Sequence, residues 1–207
     1  AIAKAMVAKA DIKSDQEIFR ILVKLGVFAE NENVELLRCQ IKADFNENVL
    51  NRAAQIVSSN PIGSAAAERR DLSHLPLLTI DGQGTLDFDD AISIAERGGT
   101  WQLGVHIADV GHFISKGDVV DQEALGRGSS IYMHDQKISM LPSVLAEGLC
   151  SLKAGELRPA ISVMIDLNPQ AEVVRYEILQ SLIKVRHQLS YYDVNTYADE
   201  NRQIRIL

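Results

Sequence analysis

Residues 76–96 read PLLTIDGQGTLDFDDAISIAE, and this stretch decides the fold of the larger part of the chain. Two runs rich in β-branched residues, LLTID and AISIAE, predict two strands. The segment GQGTL lies between them, and its two glycines allow a tight connection. We therefore expect Asp81, at the end of the first strand, to lie close to Asp87, Asp89 and Asp90 at the start of the second.

Four converging carboxylates need a source of positive charge. Two carboxylates about 4 Å apart repel each other by roughly 4 kcal/mol at an effective dielectric constant near 20. The four cannot all remain ionised without a cation or raised pKa values. Oxygen ligands indicate Mg²⁺, Mn²⁺ or Ca²⁺ rather than zinc. The surplus of carboxylates suits a second metal ion, or a base that orients a water for in-line attack on a phosphodiester.

Other interpretations of the aspartates stay open on the residues alone. Aspartates at strand ends commonly cap turns. A structural Ca²⁺ loop is disfavoured, because the spacing lacks the EF-hand pattern with its terminal Glu. Asp87-Phe88-Asp89 is also a DxD, a motif of metal-dependent glycosyltransferases. A metal-dependent phosphoryl or glycosyl enzyme is the leading hypothesis at this point.

The first seventy residues have a helical pattern. In SDQEIFRILVKLG, Ser14 and Glu17 form a capping box, apolar residues follow at helical spacing, and Gly26 ends the helix. Two further apolar stripes follow in ENVELLRCQIK and NENVLNRAAQIVSS. We predict that residues 1–70 form a small helical segment without catalytic chemistry.

From residue 71 onward the pattern predicts an α+β fold with a mixed, mostly antiparallel sheet packed with helices. WQLGVHIADV is typical of a strand, and AISVMIDL and VVRYEILQSLIKV predict a strand pair around the turn NPQAE. DVVDQEALGRG predicts a helix. Alternation in WQLGVHIADV places apolar residues on one face (Trp101, Leu103, Val105 and Ile107) and small or polar ones on the other (Gly104, His106 and Ala108).

Composition limits the function classes. The net charge is 21 − 28 = −7, which argues against a protein that holds nucleic acid by a basic surface alone. No run of eighteen apolar residues is present, so we predict no membrane span and no membrane partner. We predict that Cys39 and Cys150 are buried thiols without a disulfide, which favours the cytoplasm.

Several consecutive segments resemble the ribonuclease II and ribonuclease R exoribonucleases, which share the RNB catalytic domain. The segments are DLSHLPLLTIDGQGTLDFDDAISI, GVHIADVGHFI, GRGSSIY and ISMLPSVLAEGLCSLKAGELRPAISV. Their order and spacing agree with the family over about residues 71–197. The resemblance implies that residues 71–207 are the N-terminal portion of an RNB domain and that residues 1–70 join it to upstream domains.

The resemblance also implies an activity and its residues. The family's activity is processive, Mg²⁺-dependent 3′→5′ hydrolysis of single-stranded RNA to nucleoside 5′-monophosphates, with Mn²⁺ as a possible substitute. The four aspartates match the family's metal ligands, and Asp89 and Asp87 are the expected catalytic pair. Tyr132 matches the tyrosine that stacks on the 3′-terminal base. We also consider Arg127 and Arg158 as RNA-binding residues, because each can contact phosphate.

Family members are longer than this chain. The resemblance implies a further part of the RNB domain with an arginine that stabilises transition-state charge, and usually an S1-type RNA-binding domain. We expect the 207-residue chain to be an incomplete portion with little activity alone. The alternative is a catalytically incompetent RNA-binding or regulatory module of the same fold.

Overall fold

The computed structural model describes residues 14–59, 62, 68–134 and 136–199. The chain divides into two compact units, Ala1–Ala43 and Asp44–Leu207. The parts of the predicted helical segment at residues 1–13, 60–61 and 63–67 lie outside the described residues, as do residues 200–207 at the end of the predicted RNB portion.

The smaller unit contains two helices, α1 (Asp15–Lys24) and α2 (Val34–Arg38). The predicted capping box is confirmed on its serine side, because the Ser14 hydroxyl accepts a hydrogen bond from the backbone N–H of Glu17. Gly26 follows α1 with a positive φ of 67°, the left-handed conformation that ends many helices. The predicted end of the helix is therefore confirmed.

The larger unit combines short helices with long strands. Its first elements are α3 (Glu47–Ser58), β1 (Arg70–Asp71), β2 (Leu77–Asp81), β3 (Asp90–Arg97) and β4 (Thr100–Ala108). The middle part contains α4 (Val110–Phe113), α5 (Val119–Arg127), β5 (Ile131–Tyr132), β6 (Lys137–Ile138) and a π-helix (Val144–Leu149). The last elements are β7 (Leu157–Leu167), β8 (Val173–Ser190) and α6 (Tyr191–Asp199).

The main sheet has the strand order β1-β8-β2-β3-β4-β7, and β7 also pairs with β8. This double pairing is possible because β8 has 18 residues. Its first part runs antiparallel to β7, and its last part runs parallel to β2. Strands β2, β3, β4, β7 and β8 therefore form a closed ring of pairings. The predicted mixed, mostly antiparallel sheet of an α+β fold is confirmed.

The two faces of the sheet differ in chemistry. One face is buried and combines apolar core residues such as Met164 and Ile183 with small and polar side chains, namely Ser93, Gly104, His106, Ser162 and Ser181. The opposite face is apolar but only partly covered, since Trp101 and Ile107 on β4 are 43% and 44% exposed. The predicted alternation along β4 is confirmed, and its buried side is the one with glycine and histidine.

The buried polar face is held by a chain of hydrogen bonds. His106 contacts the Ser93 hydroxyl through Nε2 at 2.9 Å and the Ser162 hydroxyl through Nδ1 at 2.6 Å. The Ser162 and Ser181 hydroxyls are 2.6 Å apart, and Ser181 also donates to the Ala160 carbonyl. One network therefore joins strands β3, β4, β7 and β8. His106 is the hydrogen-bonded structural residue that a lone histidine usually is.

A second core lies between helices. Val49, Ala53 and Ile56 of α3 are buried, and this helix contacts α5 and the π-helix. Helix α3 thus belongs to the larger compact unit, which begins at Asp44. The assignment of residues 1–70 to an upstream joining segment stays a prediction.

Neither cysteine forms a disulfide, and Cys150 is buried as predicted. Cys39 is exposed, so the prediction that both thiols are buried is wrong for this residue. Cys39 caps the C-terminus of α2, a five-residue helix that buries none of its own side chains. No helix among the described residues is both long and apolar enough to span a bilayer.

Candidate active site

The acidic loop, defined as residues 81–90, connects β2 to β3. Asp81 is the last residue of β2 and Asp90 is the first of β3, and the two strands pair antiparallel. Asp87 and Asp89 lie in the irregular part between them, so these two do not start the strand as the sequence suggested. The antiparallel pairing brings the two ends of the loop together, as predicted.

The loop is anchored through its backbone to the segment after the π-helix. The buried hydroxyl of Ser151 accepts from the Phe88 N–H at 3.0 Å and donates to the Leu86 carbonyl at 2.9 Å. The Leu152 N–H donates to the Phe88 carbonyl, and the Ala108 N–H donates to the Asp89 carbonyl. Four bonds thus fix the backbone on both sides of the catalytic candidates. This leaves the carboxylate oxygens of Asp87 and Asp89 available for other contacts.

The carboxylates are close enough to perturb one another. Partial burial raises the pKa of Asp81, and the charges of Asp90 and Asp87 raise it further. Burial likewise raises the pKa of Asp89, followed by the charges of Asp87 and Asp90. Asp81 and Asp89 are thus each within electrostatic reach of Asp87 and Asp90, and we call these four residues the acidic cluster. Each ionised carboxylate makes the next one harder to ionise.

Asp87 differs from its neighbours because it has a cationic partner. Burial alone would raise its pKa, but the hydrogen bond and charge of Lys137 lower it overall. The Lys137 ammonium lies 2.6 Å from Oδ2 of Asp87, and the Tyr132 hydroxyl donates to the same oxygen at 3.1 Å. Lys137 also lies 3.5 Å from Oε1 of Glu147.

A cavity of about 310 Å³ opens beside the acidic loop. Its polar lining includes Asp87, Asp89 and Tyr132. The remaining lining is mostly apolar and comes from the end of β4 and from the segment between β4 and β7: Ile107, Ala108, Val110, Met140, Leu141, Ala146 and Cys150, with Ser130. Two carboxylates at the wall of a largely apolar cavity are the arrangement expected of a small active site.

The acidic cluster has the donor chemistry of a hard divalent cation. Its possible ligands are all carboxylate oxygens, and burial, followed by the charges of neighbouring aspartates, raises the pKa of Asp81 and of Asp89. Within the described ranges, however, no three His, Cys, Asp or Glu side chains are positioned to share one ion. Asp87 is also engaged by Lys137. The donors therefore fit the ion in chemical type, although in the described part of the chain they do not surround a single position.

The structure places the three predicted RNA-binding residues very differently. Tyr132 is 68% exposed and contacts Asp87, and this exposure is what stacking on a base requires. The Arg127 guanidinium contacts Glu123 and the backbone carbonyls of Ser139 and Asp44, and it stacks 3.8 Å above the Phe45 ring. Of these residues, Tyr132 contacts a member of the acidic cluster.

Arg158 is buried, with 7% of its side chain exposed. Its guanidinium donates to the carbonyls of Ser151, Leu157 and Gly148 and forms an ion pair with Glu156. Arg158 therefore fixes the segment that anchors the acidic loop. A direct role in RNA binding for Arg127 or Arg158 stays a prediction.

Sequence reasoning missed Lys137 and Ser151. Lys137 faces Tyr132 because the two residues are register partners in the β5–β6 hairpin. That pairing is set by two strands of two residues each, too short to show an alternation pattern. Ser151 lies within the segment LCSL, where nothing local indicates contact with a loop 63 residues earlier.

Comparison with known proteins finds relatives of this chain. The RNB domain model matches residues 69–205. Ribonuclease R of Thermotoga maritima is 39% identical over 158 residues, which cover 76% of this chain and 22% of that protein. Ribonuclease R of Mycoplasmopsis pulmonis is 38% identical over 196 residues, covering 93% and 27% respectively. The chain thus spans about a quarter of the length of these relatives.

A solved structure shares the fold. Mycoplasma genitalium RNase R in complex with ribose-methylated single-stranded RNA superposes with a TM-score of 0.76 at 27% identity. The match covers 82% of this chain and 26% of that protein. With the family model matching well over half of the sequence, the chain belongs to the RNB domain family.

Proposed function

We propose that this chain is part of a Mg²⁺-dependent 3′→5′ exoribonuclease, which hydrolyses single-stranded RNA to nucleoside 5′-monophosphates. The observation that carries the proposal is an exposed tyrosine that contacts Asp87 and lines the same cavity as Asp87 and Asp89, within an RNB domain. The relatives are ribonucleases R, and one of them is bound to single-stranded RNA. We further propose a cytoplasmic location.

Asp81, Asp87, Asp89 and Asp90 would hold the ion, with Mn²⁺ as a possible replacement for Mg²⁺. When bound, such an ion stabilises the negative charge that develops on the phosphoryl oxygens. Asp89 and Asp87 line the cavity and are the residues that would orient the attacking water and accept its proton. Tyr132 would stack on the 3′-terminal base, a contact that every base can make.

The proposed reaction is a hydrolysis at the last phosphodiester. The water oxygen forms a bond to phosphorus, and the bond from phosphorus to the 3′ oxygen of the preceding nucleotide breaks. One water proton passes to a carboxylate, and the leaving oxygen gains a proton to become the new 3′ hydroxyl. The terminal nucleotide leaves as a 5′-monophosphate.

We expect the 207-residue chain to hydrolyse RNA slowly. It spans about a quarter of its relatives, and the family resemblance implies that a charge-stabilising arginine and an S1-type domain lie in other parts of the protein. The net charge of −7 also provides little attraction for a polyanion. The second candidate is a catalytically incompetent RNA-binding module, which the intact set of four aspartates disfavours.

Single-turnover hydrolysis tests the proposal. Purified chain in excess over a 5′-labelled single-stranded RNA is incubated with Mg²⁺ or Mn²⁺, and the products are resolved by length. We expect shortening from the 3′ end with release of nucleoside 5′-monophosphates, and no shortening with Asp89→Asn. Glu30→Gln removes an equivalent charge from an exposed position of the smaller unit and serves as the control.

The alternative gives a different result in the same assay. Metal-independent RNA binding without any product, in both ions and at prolonged times, would support the incompetent binding module. Products with internal cleavage, or products that persist in Asp89→Asn, would refute the exonuclease proposal.

A further inference from the structure

The β5–β6 hairpin presents two side chains to one carboxylate oxygen. Tyr132 and Lys137 are directly opposite each other in this hairpin. The Tyr132 hydroxyl and the Lys137 ammonium both contact Oδ2 of Asp87, at 3.1 and 2.6 Å. The ammonium also lies 5.5 Å from the centroid of the Tyr132 ring, within cation–π range. Lys137 therefore contacts both the acidic loop and the aromatic ring.

Tyr132 lies at an exposed position of a short hairpin. It is 68% exposed, and its strand has two residues. An isolated two-stranded hairpin is only marginally stable in water. The Lys137 side chain is 23% exposed and that of Asp87 is 14% exposed, so their ion pair is partly shielded from solvent. A shielded, charge-assisted hydrogen bond is stronger than one at the open surface.

We propose that Lys137 is a positioning residue for RNA binding, which fixes the Tyr132 ring against Asp87 so that it is ready to stack on the 3′-terminal base. The inference rests on the proposed function, because it assumes that Tyr132 stacks on RNA. Its physical basis is preorganisation: a ring that is already ordered loses less conformational freedom when the base arrives.

RNA affinity measured in EDTA tests the inference without hydrolysis. Fluorescence anisotropy of a 5′-labelled single-stranded oligonucleotide gives the dissociation constant for each variant. We expect Lys137→Met to bind about three- to tenfold more weakly, the cost of ordering one side chain on binding. Lys137→Arg should retain most of the affinity, because it can restore the cation over the ring and the bond to Asp87. Lys116→Met, at an exposed position, removes the same charge as a control.

A double-mutant cycle separates positioning from direct contact with phosphate. In a Tyr132→Ala background, Lys137→Met should cause no further loss, because no ring remains to be positioned. An oligonucleotide that lacks only its 3′-terminal base should likewise bind wild type and Lys137→Met equally. If the two substitutions weaken RNA affinity independently, so that their fold-changes multiply in the double variant, the inference is overturned and Lys137 contacts the RNA itself.

The failure of this inference is distinguishable from that of the proposed function. If Tyr132→Ala binds as tightly as wild type, or if the wild-type chain shows no binding, the proposed function loses its stacking residue. If Tyr132→Ala weakens binding and Lys137→Met does not, only the positioning role of Lys137 is refuted. Circular dichroism melting of each variant confirms that the comparison is made between folded proteins.

Discussion

The hydroxyl of Tyr132 donates a hydrogen bond to Oδ2 of Asp87, which lies 45 residues earlier in the chain. The bond connects the candidate stacking residue to the candidate metal site. Tyr132→Phe removes it and keeps the ring, whereas Tyr132→Ala removes both. Because stacking contributes about 1–3 kcal/mol per base, we expect Tyr132→Ala to weaken RNA binding at least fivefold. Tyr132→Phe should weaken it less, and equal losses in the two variants would show that the hydroxyl, not the ring, binds RNA.

Asp89→Asn should be more stable than wild type without metal and less stable than wild type with metal. The raised pKa of Asp89 means that its ionised form is disfavoured in the folded protein. Replacing this charge by a neutral amide should raise Tm by about 2 °C in EDTA, because removing a repulsive interaction of a partly exposed charge changes stability only slightly. Mn²⁺ at saturation should raise the wild-type Tm by about 5 °C and that of Asp89→Asn much less.

Thermal melting of wild type, Asp89→Asn and Glu30→Gln, each with and without Mn²⁺, checks this prediction. Glu30→Gln should respond to the metal as wild type does. An equal metal-dependent shift in all three proteins would place the ion elsewhere.

Arg158→Lys should destabilise the fold by about 2 kcal/mol. The guanidinium of Arg158 has several N–H groups that donate to three backbone carbonyls and to Glu156. A lysine cannot donate to all of these acceptors, so buried acceptors lose their partners. Urea unfolding gives the change, and Arg175→Lys, whose side chain is 72% exposed, is the matched control. A loss of RNA affinity without a loss of stability would instead establish Arg158 as an RNA-binding residue.

Gly104→Ala should be among the most disruptive single-methyl changes in the sheet. A Cβ at this position would lie within about 2.5 Å of His106 Nε2 and equally close to the Ser93 hydroxyl. The methyl group therefore forces apart a buried hydrogen bond, at a cost of about 2–3 kcal/mol. Gly126→Ala lies in α5, where nothing outside its chain neighbours and its own helix backbone is within 4 Å of the new Cβ, so it should be neutral or stabilising. Urea unfolding compares the two, and equal effects would disprove the steric argument.

Acid should destabilise the fold through His106. Burial lowers the pKa of His106 to about 4, below the usual 6.5, so the unfolded chain binds this proton more readily than the folded one. The stability that the neutral imidazole contributes is complete above pH 6.5 and is lost as the pH falls towards 4. At pH 4 the loss in the free energy of unfolding is about 3 kcal/mol.

Urea unfolding between pH 7 and 4 checks this prediction. Carboxylates also titrate in this range, so His106→Gln is compared with wild type over the same pH values. The variant should be less stable at pH 7 and should show a smaller loss on acidification. Parallel pH profiles would mean that another group controls the acid response.

Local patterns identified most of the elements in the larger unit. The strand pair around NPQAE, the helix of residues 119–127 and the strands flanking the acidic loop are all present. These elements could be predicted from the sequence because hydrophobic alternation and turn residues are local signals. The closure of the sheet could not be predicted from the sequence. It depends on β8, which pairs with β7 in its first part and with β2 in its last part.

The site shows the same division. The sequence by itself determined that Asp81, Asp87, Asp89 and Asp90 lie on one loop, because the two strands joined by GQGTL must bring them together. Only the tertiary structure decided which carboxylate has a cationic partner: Lys137 reaches Asp87 across 50 residues. The number of residues in a short loop determines which side chains at its two ends lie near each other. Contacts between segments that are distant in the sequence depend instead on how the sheet and the β5–β6 hairpin pack. For that reason the acidic cluster was predictable and its pairing with Lys137 and Tyr132 was not.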